Sequence, residues 1–165
     1  MLKIIITGPE SSGKTTLCKA LSKHFNISFA KEFARHYINS LERGYTQNDL
    51  VSIAKGQLEC EFNYDLLDTD LITIKIWSEY KYESCDKWIL DQIEKQKTEN
   101  RFYLLCSPDI PWQADNQREN PNDRENIFKL YKQELENLGH DYFIVEGENR
   151  TDNSILKISS LISII

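Results

Sequence analysis

The run Gly8-Pro9-Glu10-Ser11-Ser12-Gly13-Lys14-Thr15 fits G-x-x-x-x-G-K-[ST], the Walker A pattern, at every fixed position. Each fixed residue type has a physical reason to be there. Glycines let the backbone turn so that successive amides point inward as a nest for phosphate oxygens. A helix opening behind the loop adds its positive N-terminal end. Lys14 places a point charge on the β- and γ-phosphates, and the Thr15 hydroxyl is a Mg²⁺ ligand. Residues Gly8, Pro9, Glu10, Ser11, Ser12, Gly13, Lys14, Thr15 and Thr16 are therefore the expected nucleotide-binding set, with ATP and Mg²⁺ as cofactors.

Further residues suit phosphoryl transfer. Asp68 closes a short apolar run and opens the acidic turn Asp68-Thr69-Asp70. P-loop enzymes keep a carboxylate there that serves Mg²⁺ directly or through water. Asp70 is expected to face the acceptor, although either carboxylate can instead cap the next helix. Glu32 and Arg35 follow an expected strand. Glu32 suits binding of ribose hydroxyls or removal of the attacking hydroxyl's proton, and a plain ion pair one helical turn apart is the simpler alternative. Arg118 and Arg124 flank Glu119-Asn120-Pro121-Asn122-Asp123, a segment suited to a lid that brings cationic charge to the transferring phosphate. Trp77, Tyr80 and Tyr82 suit an aromatic wall for a base, best of all a cationic ring, with an ordinary core stripe as the alternative for at least one. The expected catalytic residues are Lys14, Asp68, Glu32, Arg118 and Arg124. Thr15 and Asp68 hold metal, and Glu32, Arg35, Asp70, Trp77 and Tyr80 meet the acceptor.

Positioning these residues takes alternating strands and helices. Leu2 to Thr7 is an apolar β-branched run, and Leu17, Leu21 and Phe25 then repeat every fourth residue, so residues 2 to 25 read as strand, loop, helix. A second strand is expected near Ile27 to Lys31 and a helix over Phe33 to Leu41. Thr46 is expected to cap another helix, with Asp49 at its third position and Leu50, Ile53, Ala54 and Leu58 on its apolar face. Tyr64 to Leu67 is a short third strand, and Ile72, Ile76 and Tyr80 mark the helix after the acidic turn. Phe102 to Cys106 and Tyr142 to Val145 complete a five-stranded parallel sheet. Between those two lie a polar segment, 109 to 123, read as a mobile loop, and an amphipathic helix from Arg124 to Gly139. The tail from Asn153 is helical in pattern. This alternation predicts an α/β P-loop three-layer sandwich, residues 1 to 165 forming one domain of nucleoside- or nucleotide-kinase type with a lid near 109 to 124.

Composition narrows the partners. The chain has 165 residues, 40% hydrophobic and 28% charged, with a formal net charge of −6. That balance and the scattered Lys and Arg point away from nucleic acid. The four cysteines, Cys18, Cys60, Cys85 and Cys106, form no Cys-x-x-Cys pair and read as reduced thiols. Neither a signal peptide nor a membrane span is evident, so a cytoplasmic location is expected, with a small-molecule nucleoside as partner and a homo-oligomer compatible with the sequence. The guanine-reading Asn-Lys-x-Asp element, the Asp-x-x-Gly switch and the Leu-Ser-Gly-Gly-Gln signature are all missing, which leaves a small kinase.

Taken in order, Gly-Pro-Glu-Ser-Ser-Gly-Lys-Thr at 8 to 15, Glu32-Phe33-Ala34-Arg35, Asp68-Thr69-Asp70-Leu71-Ile72-Thr73 and the segment from Trp112 to Arg124 resemble the ribosylnicotinamide kinase family, the kinase domain found at the C-terminus of NadR. The likeness covers nearly the whole chain. It implies transfer of phosphoryl from ATP to the 5′-hydroxyl of nicotinamide riboside, giving nicotinamide mononucleotide, a step of NAD biosynthesis. It implies that Lys14 and Thr15 bind ATP and Mg²⁺, that Asp68 and Asp70 serve the metal and riboside, and that Arg118 and Arg124 belong to the lid. NadR-like proteins often add DNA-binding and adenylyltransferase parts. This sequence starts at its first strand, so neither transcriptional regulation nor dinucleotide synthesis is expected of it. The stretch between the Thr46 helix and Asp68 is also shorter than is usual in the family, with a less apolar strand. Two rival readings keep the phosphate loop: a regulatory ATPase acting on a partner protein, and a kinase for another nucleoside.

Overall fold

The computed structural model describes residues 2–162. Strand β1 (Lys3–Thr7) leads into helix α1 (Lys14–Phe25), followed by α2 (Phe33–Asn39), α3 (Gln47–Glu61), β2 (Leu66–Asp68), α4 (Leu71–Tyr82), α5 (Lys87–Gln96), β3 (Arg101–Cys106), α6 (Arg124–Leu138), β4 (Asp141–Val145) and α7 (Arg150–Ile162). The sheet is parallel, in the order β2-β1-β3-β4.

Among the described residues the sheet has four strands rather than five. The segment expected as the second strand meets β2 only at Ala30, which bridges Leu67. Its N–H donates to the Leu66 carbonyl at 2.9 Å and its carbonyl accepts from Asp68 N–H at 2.8 Å. A single bridging residue on the sheet edge holds the chain without a ladder. β2 is only three residues long, but all three are buried and in register with Ile4, Ile5 and Ile6. Full burial thus makes up for its length, although it is the outermost of the four strands.

The side-chain alternation of a strand sorts the core into two halves. Ile5, Leu67, Tyr103 and Leu105 face a core built with α3 to α6. Ile4, Ile6, Leu66, Phe102, Leu104 and Cys106 face α1 and α7. Cys18 of α1 is fully buried on that second side, its thiol 3.8 Å from the Leu67 carbonyl oxygen. The result is a three-layer α/β sandwich, helices on both faces of a parallel sheet, as the alternation predicts.

Local signals set the helix ends. Asp49 reaches back to the Thr46 N–H at 2.7 Å, fixing the start of α3 as its sequence predicts. Gly139 ends α6 in the left-handed region. Helix α5 has no counterpart among the sequence-based expectations. Asp86 caps it through Trp88 N–H, and Ile89 and Ile93 are its buried stripe. Near the site, α3 packs tightly on α2: a Cβ at Gly56 would lie 2.2 Å from the Phe33 ring.

Candidate active site

The phosphate loop leaves β1 at Gly8. This residue has φ +133, and a Cβ there would fall 2.6 Å from the Cys106 carbonyl oxygen. Only glycine combines that backbone with so close a pass over the end of β3. The Ser12 hydroxyl donates to the Pro9 carbonyl at 2.7 Å and closes the loop on itself. The Lys14 ammonium spans the loop mouth, donating to the carbonyls of Gly8 at 2.9 Å and Pro9 at 2.7 Å. Arg150, at the start of α7, braces the loop from behind by donating to the Ser12 carbonyl at 2.8 Å and pairing with Asp109.

Asp68 lies beneath this loop. Its Oδ2 accepts from the Thr15 hydroxyl at 2.6 Å. Its Oδ1 is buried with no hydrogen-bond partner. Burial pushes the carboxyl upward, and the Thr15 bond and the Lys14 charge oppose that shift. An idle buried carboxylate oxygen beside a threonine hydroxyl is a hard-oxygen donor set that fits Mg²⁺, which takes few protein ligands and completes its shell with water and phosphate.

A cleft of about 530 Å³ opens from the loop and runs between α2, α4 and α6. Glu32, Arg35, Trp77 and Tyr80 line it, as do Thr73 and Tyr131, which the sequence reading passed over. Enclosure in the cleft raises the Glu32 carboxyl, with Lys14 pulling it back. The Glu32–Arg35 ion pair exists but is loose at 4.0 Å, and the closer partner of Arg35 is Asp115 at 2.7 Å. Tyr82 does not line the cleft and packs at the edge of the core.

Segment 109–123 carries no helix or strand. It crosses the cleft as a strap, with hydrogen bonds to both sides. The Gln113 N–H donates to the Ser11 hydroxyl at 2.8 Å, and Gln117 donates to Asn39 of α2 at 2.7 Å. The N–H groups of Glu119 and Asn120 both donate to the Glu10 carboxylate, at 3.0 and 2.9 Å. The two expected lid arginines part company. Arg118 lines the cleft and donates to the Gln113 carbonyl. Arg124 does not line it: its guanidinium donates to the carbonyls of Ser11 and Ile110, both at 3.0 Å, and lies over the Trp112 ring. A guanidinium committed to two carbonyls braces the strap's base, which corrects its expected place over the phosphate.

Asp70 also needs correction. It is fully buried, caps α4 through Ile72 N–H at 3.1 Å, and accepts from the Tyr103 hydroxyl at 2.7 Å and from Arg101 at 3.3 Å. Those partners hold it in the core, and it does not line the cleft. The helix-cap alternative describes it.

Several positioning residues were missed. Gln57 is buried in α3, where it accepts from Phe33 N–H at 2.9 Å and donates to the Thr69 carbonyl at 3.2 Å. It thereby joins the chain beside Glu32 to the turn beside Asp68. A polar residue four after Ile53 on an apolar helical face was the available signal. Tyr45, Lys81 and Glu119 carried no such signal, because the contacts that unite them span dozens of residues.

Comparisons with known proteins bear on the fold and the family. A family model described as AAA domain matches residues 3–151. The chain is 29% identical over 174 residues to the trifunctional NAD biosynthesis/regulator protein NadR of Escherichia coli (strain K12), covering 96% of this chain and 41% of that protein. Among solved structures, a NadR protein in complex with NR superimposes with a TM-score of 0.76 at 21% identity, covering 96% of this chain and 49% of that one. A deoxyadenosine kinase from M. mycoides with bound dCTP shares the fold with a TM-score of 0.63 at 14% identity, covering 96% of this chain and 100% of that one. The chain thus spans less than half the length of the NadR proteins it matches.

Proposed function

The chain belongs to the AAA domain family, and on that premise we propose that it is an ATP-dependent kinase for a nucleoside 5′-hydroxyl, with nicotinamide riboside as the leading acceptor. The observation that carries the reading is the shared cleft. The phosphate loop, Glu32 and the aromatic pair Trp77 and Tyr80 open onto the same 530 Å³ space, with Arg118 above it. A regulatory ATPase has no need of an acceptor compartment beside its phosphate loop. NadR relatives give the nicotinamide riboside preference its support, and an aromatic wall with Glu32 nearby suits a cationic ring.

In this reading the acceptor's 5′-oxygen bonds to the γ-phosphorus as the bond from that phosphorus to the β,γ-bridging oxygen breaks, and ADP departs. Glu32 takes the hydroxyl proton, its raised carboxyl making it a better base near neutral pH than an ordinary glutamate. Lys14 and the loop amides hold the β- and γ-phosphates. Arg118 faces the charge on the transferring group. Thr15 and Asp68 would hold Mg²⁺, which supplies charge neutralisation on the phosphate oxygens. The remainder of catalysis is positioning.

The deciding experiment measures ADP release from ATP and Mg²⁺ with a panel of ribosides against a no-acceptor control. Stimulation by nicotinamide riboside above the other ribosides is expected. Equal release with and without acceptor sinks the kinase reading, and a stronger response to another riboside redirects the choice of base.

A further inference from the structure

Glu119 touches both sides of the cleft at once. Its backbone N–H, with that of Asn120, donates to the carboxylate of Glu10 on the phosphate loop. Its own carboxylate accepts from the Tyr45 hydroxyl at 2.8 Å and from the Lys81 ammonium at 2.7 Å. Tyr45 in turn accepts from the Trp77 indole N–H at 3.1 Å and meets that ring edge-on, the centroids 4.9 Å apart. The Lys81 ammonium lies 4.1 Å from the centre of the Tyr45 ring. Arg118 immediately precedes Glu119 and reaches the Ser11 hydroxyl at 3.5 Å.

Glu10 and Ser11 are variable positions of the phosphate-loop pattern, so holding phosphate does not dictate their side chains. Both side chains face the strap. Ser11 has φ 54, a left-handed conformation uncommon for a residue with a side chain, and its hydroxyl accepts from Gln113 N–H at 2.8 Å.

We propose that Glu119 and Glu10 are positioning residues: together they clasp the strap between the phosphate loop and the acceptor wall, and so hold Arg118 over the transferring phosphoryl group. The meaning of the clasp for catalysis rests on the kinase reading above. Its geometry does not. The contacts are charge-assisted at each end, carboxylate to amide on one side and carboxylate to ammonium on the other, which places them among the stronger hydrogen bonds. Burial keeps the Tyr45 hydroxyl protonated, its pKa pushed up to about 12, so it remains a donor to Glu119 throughout the neutral range. A shifted wall or a shifted loop would move residue 119, and with it the adjoining arginine.

The test uses the full chain and the variants Glu10→Ala, Glu10→Gln and Glu119→Ala, none of them in the packed core. Amide hydrogen exchange is followed over residues 117–121 with a non-hydrolysable ATP analogue and Mg²⁺ present. Exchange should rise at least ~10-fold in both alanine variants, and Glu10→Gln, which keeps an acceptor oxygen, should recover part of the protection. Turnover of the best riboside should fall ~10-fold or more, with the ATP dissociation constant changing much less and ATP lost to water rising relative to transfer. Unchanged exchange in both alanine variants overturns the clasp, whatever the turnover. Faster exchange with unchanged turnover overturns the positioning role. Faster exchange in a chain that phosphorylates no riboside supports the clasp and removes the kinase reading, so the two failures are separable.

Discussion

At the scale of single residues, the proposed reaction divides the work on the phosphates between Lys14 and Asp68. Lys14 brings the charge that bridges the loop mouth. Lys14→Ala should lower turnover ~100-fold or more, as expected for losing one preorganised electrostatic group, and steady-state rates at saturating ATP check it. Near-normal turnover would remove the role. For Asp68 the readout is metal. EDTA should abolish activity, and Asp68→Asn should raise the Mg²⁺ concentration needed for half-maximal rate, because the buried idle oxygen then bears no charge. An identical Mg²⁺ titration in wild type and variant would leave Asp68 as only a hydrogen-bond partner of Thr15.

At the scale of elements, the strap decides how the arginines behave. Arg118 lines the cleft, whereas Arg124 braces the strap's base on the Ser11 and Ile110 carbonyls. Arg118→Ala should therefore act mainly on the transition state, lowering kcat by ~10³ with little change in ATP affinity. Arg124→Ala should lower kcat less and weaken ATP binding more, since the loop loses a brace. Paired kcat and ATP Kd measurements separate the two, and the reverse pattern would exchange their roles. This distinction was not legible in the sequence, where the two arginines simply flank the same polar run. Local patterns were legible. The phosphate loop announces itself by fixed spacing, α6 by its stripe and terminal glycine, and α3 by Thr46 and Asp49. Asp70 misled because its partners Arg101 and Tyr103 lie on β3, more than thirty positions away, and sequence distance conceals a buried ion pair. Helix α5 could have been found from Asp86 followed by Ile89 and Ile93. The expected second strand failed for another reason: its residues suit a strand, but only Ala30 meets β2.

At the scale of the whole molecule, stability follows the carboxylates the fold encloses. Glu61 ends α3 inside the core, 2.7 Å from Arg101, which also faces Asp70. Burial raises the Glu61 carboxyl from 4.5 to about 7 against the pull of Arg101, and Asp70 adds to the rise. Between those two values the folded chain holds more protons than the unfolded one, so stability should fall as pH rises through that window. Glu32, Asp68 and Asp70 are shifted in the same direction. The urea midpoint should therefore decline from about pH 4.5 to about pH 7, less steeply in Glu61→Gln. His140 is shifted down by burial and opposes this trend near its ordinary range, so the comparison with the variant decides: the same pH dependence in wild type and Glu61→Gln would show that Arg101 wins over burial at Glu61. Among the described residues, no helix is long and apolar enough to cross a membrane.

The thiol of Cys18 offers a stopwatch. It lies in the first turns of α1, one turn past Lys14, fully buried, and burial beside Asp68 holds it far above the ordinary thiol range. An alkylating reagent needs an accessible thiolate, so Cys18 reacts only in the moments when α1 and the phosphate loop lift off the sheet. A nucleotide that binds only the closed form makes those moments rarer by the factor 1 + [L]/Kd. At a ligand concentration ~100 times Kd, labelling of Cys18 should slow ~100-fold, while the partly exposed Cys60 and Cys85 change less. The affinity for ATP is thus readable as a waiting time, with no acceptor and no turnover needed.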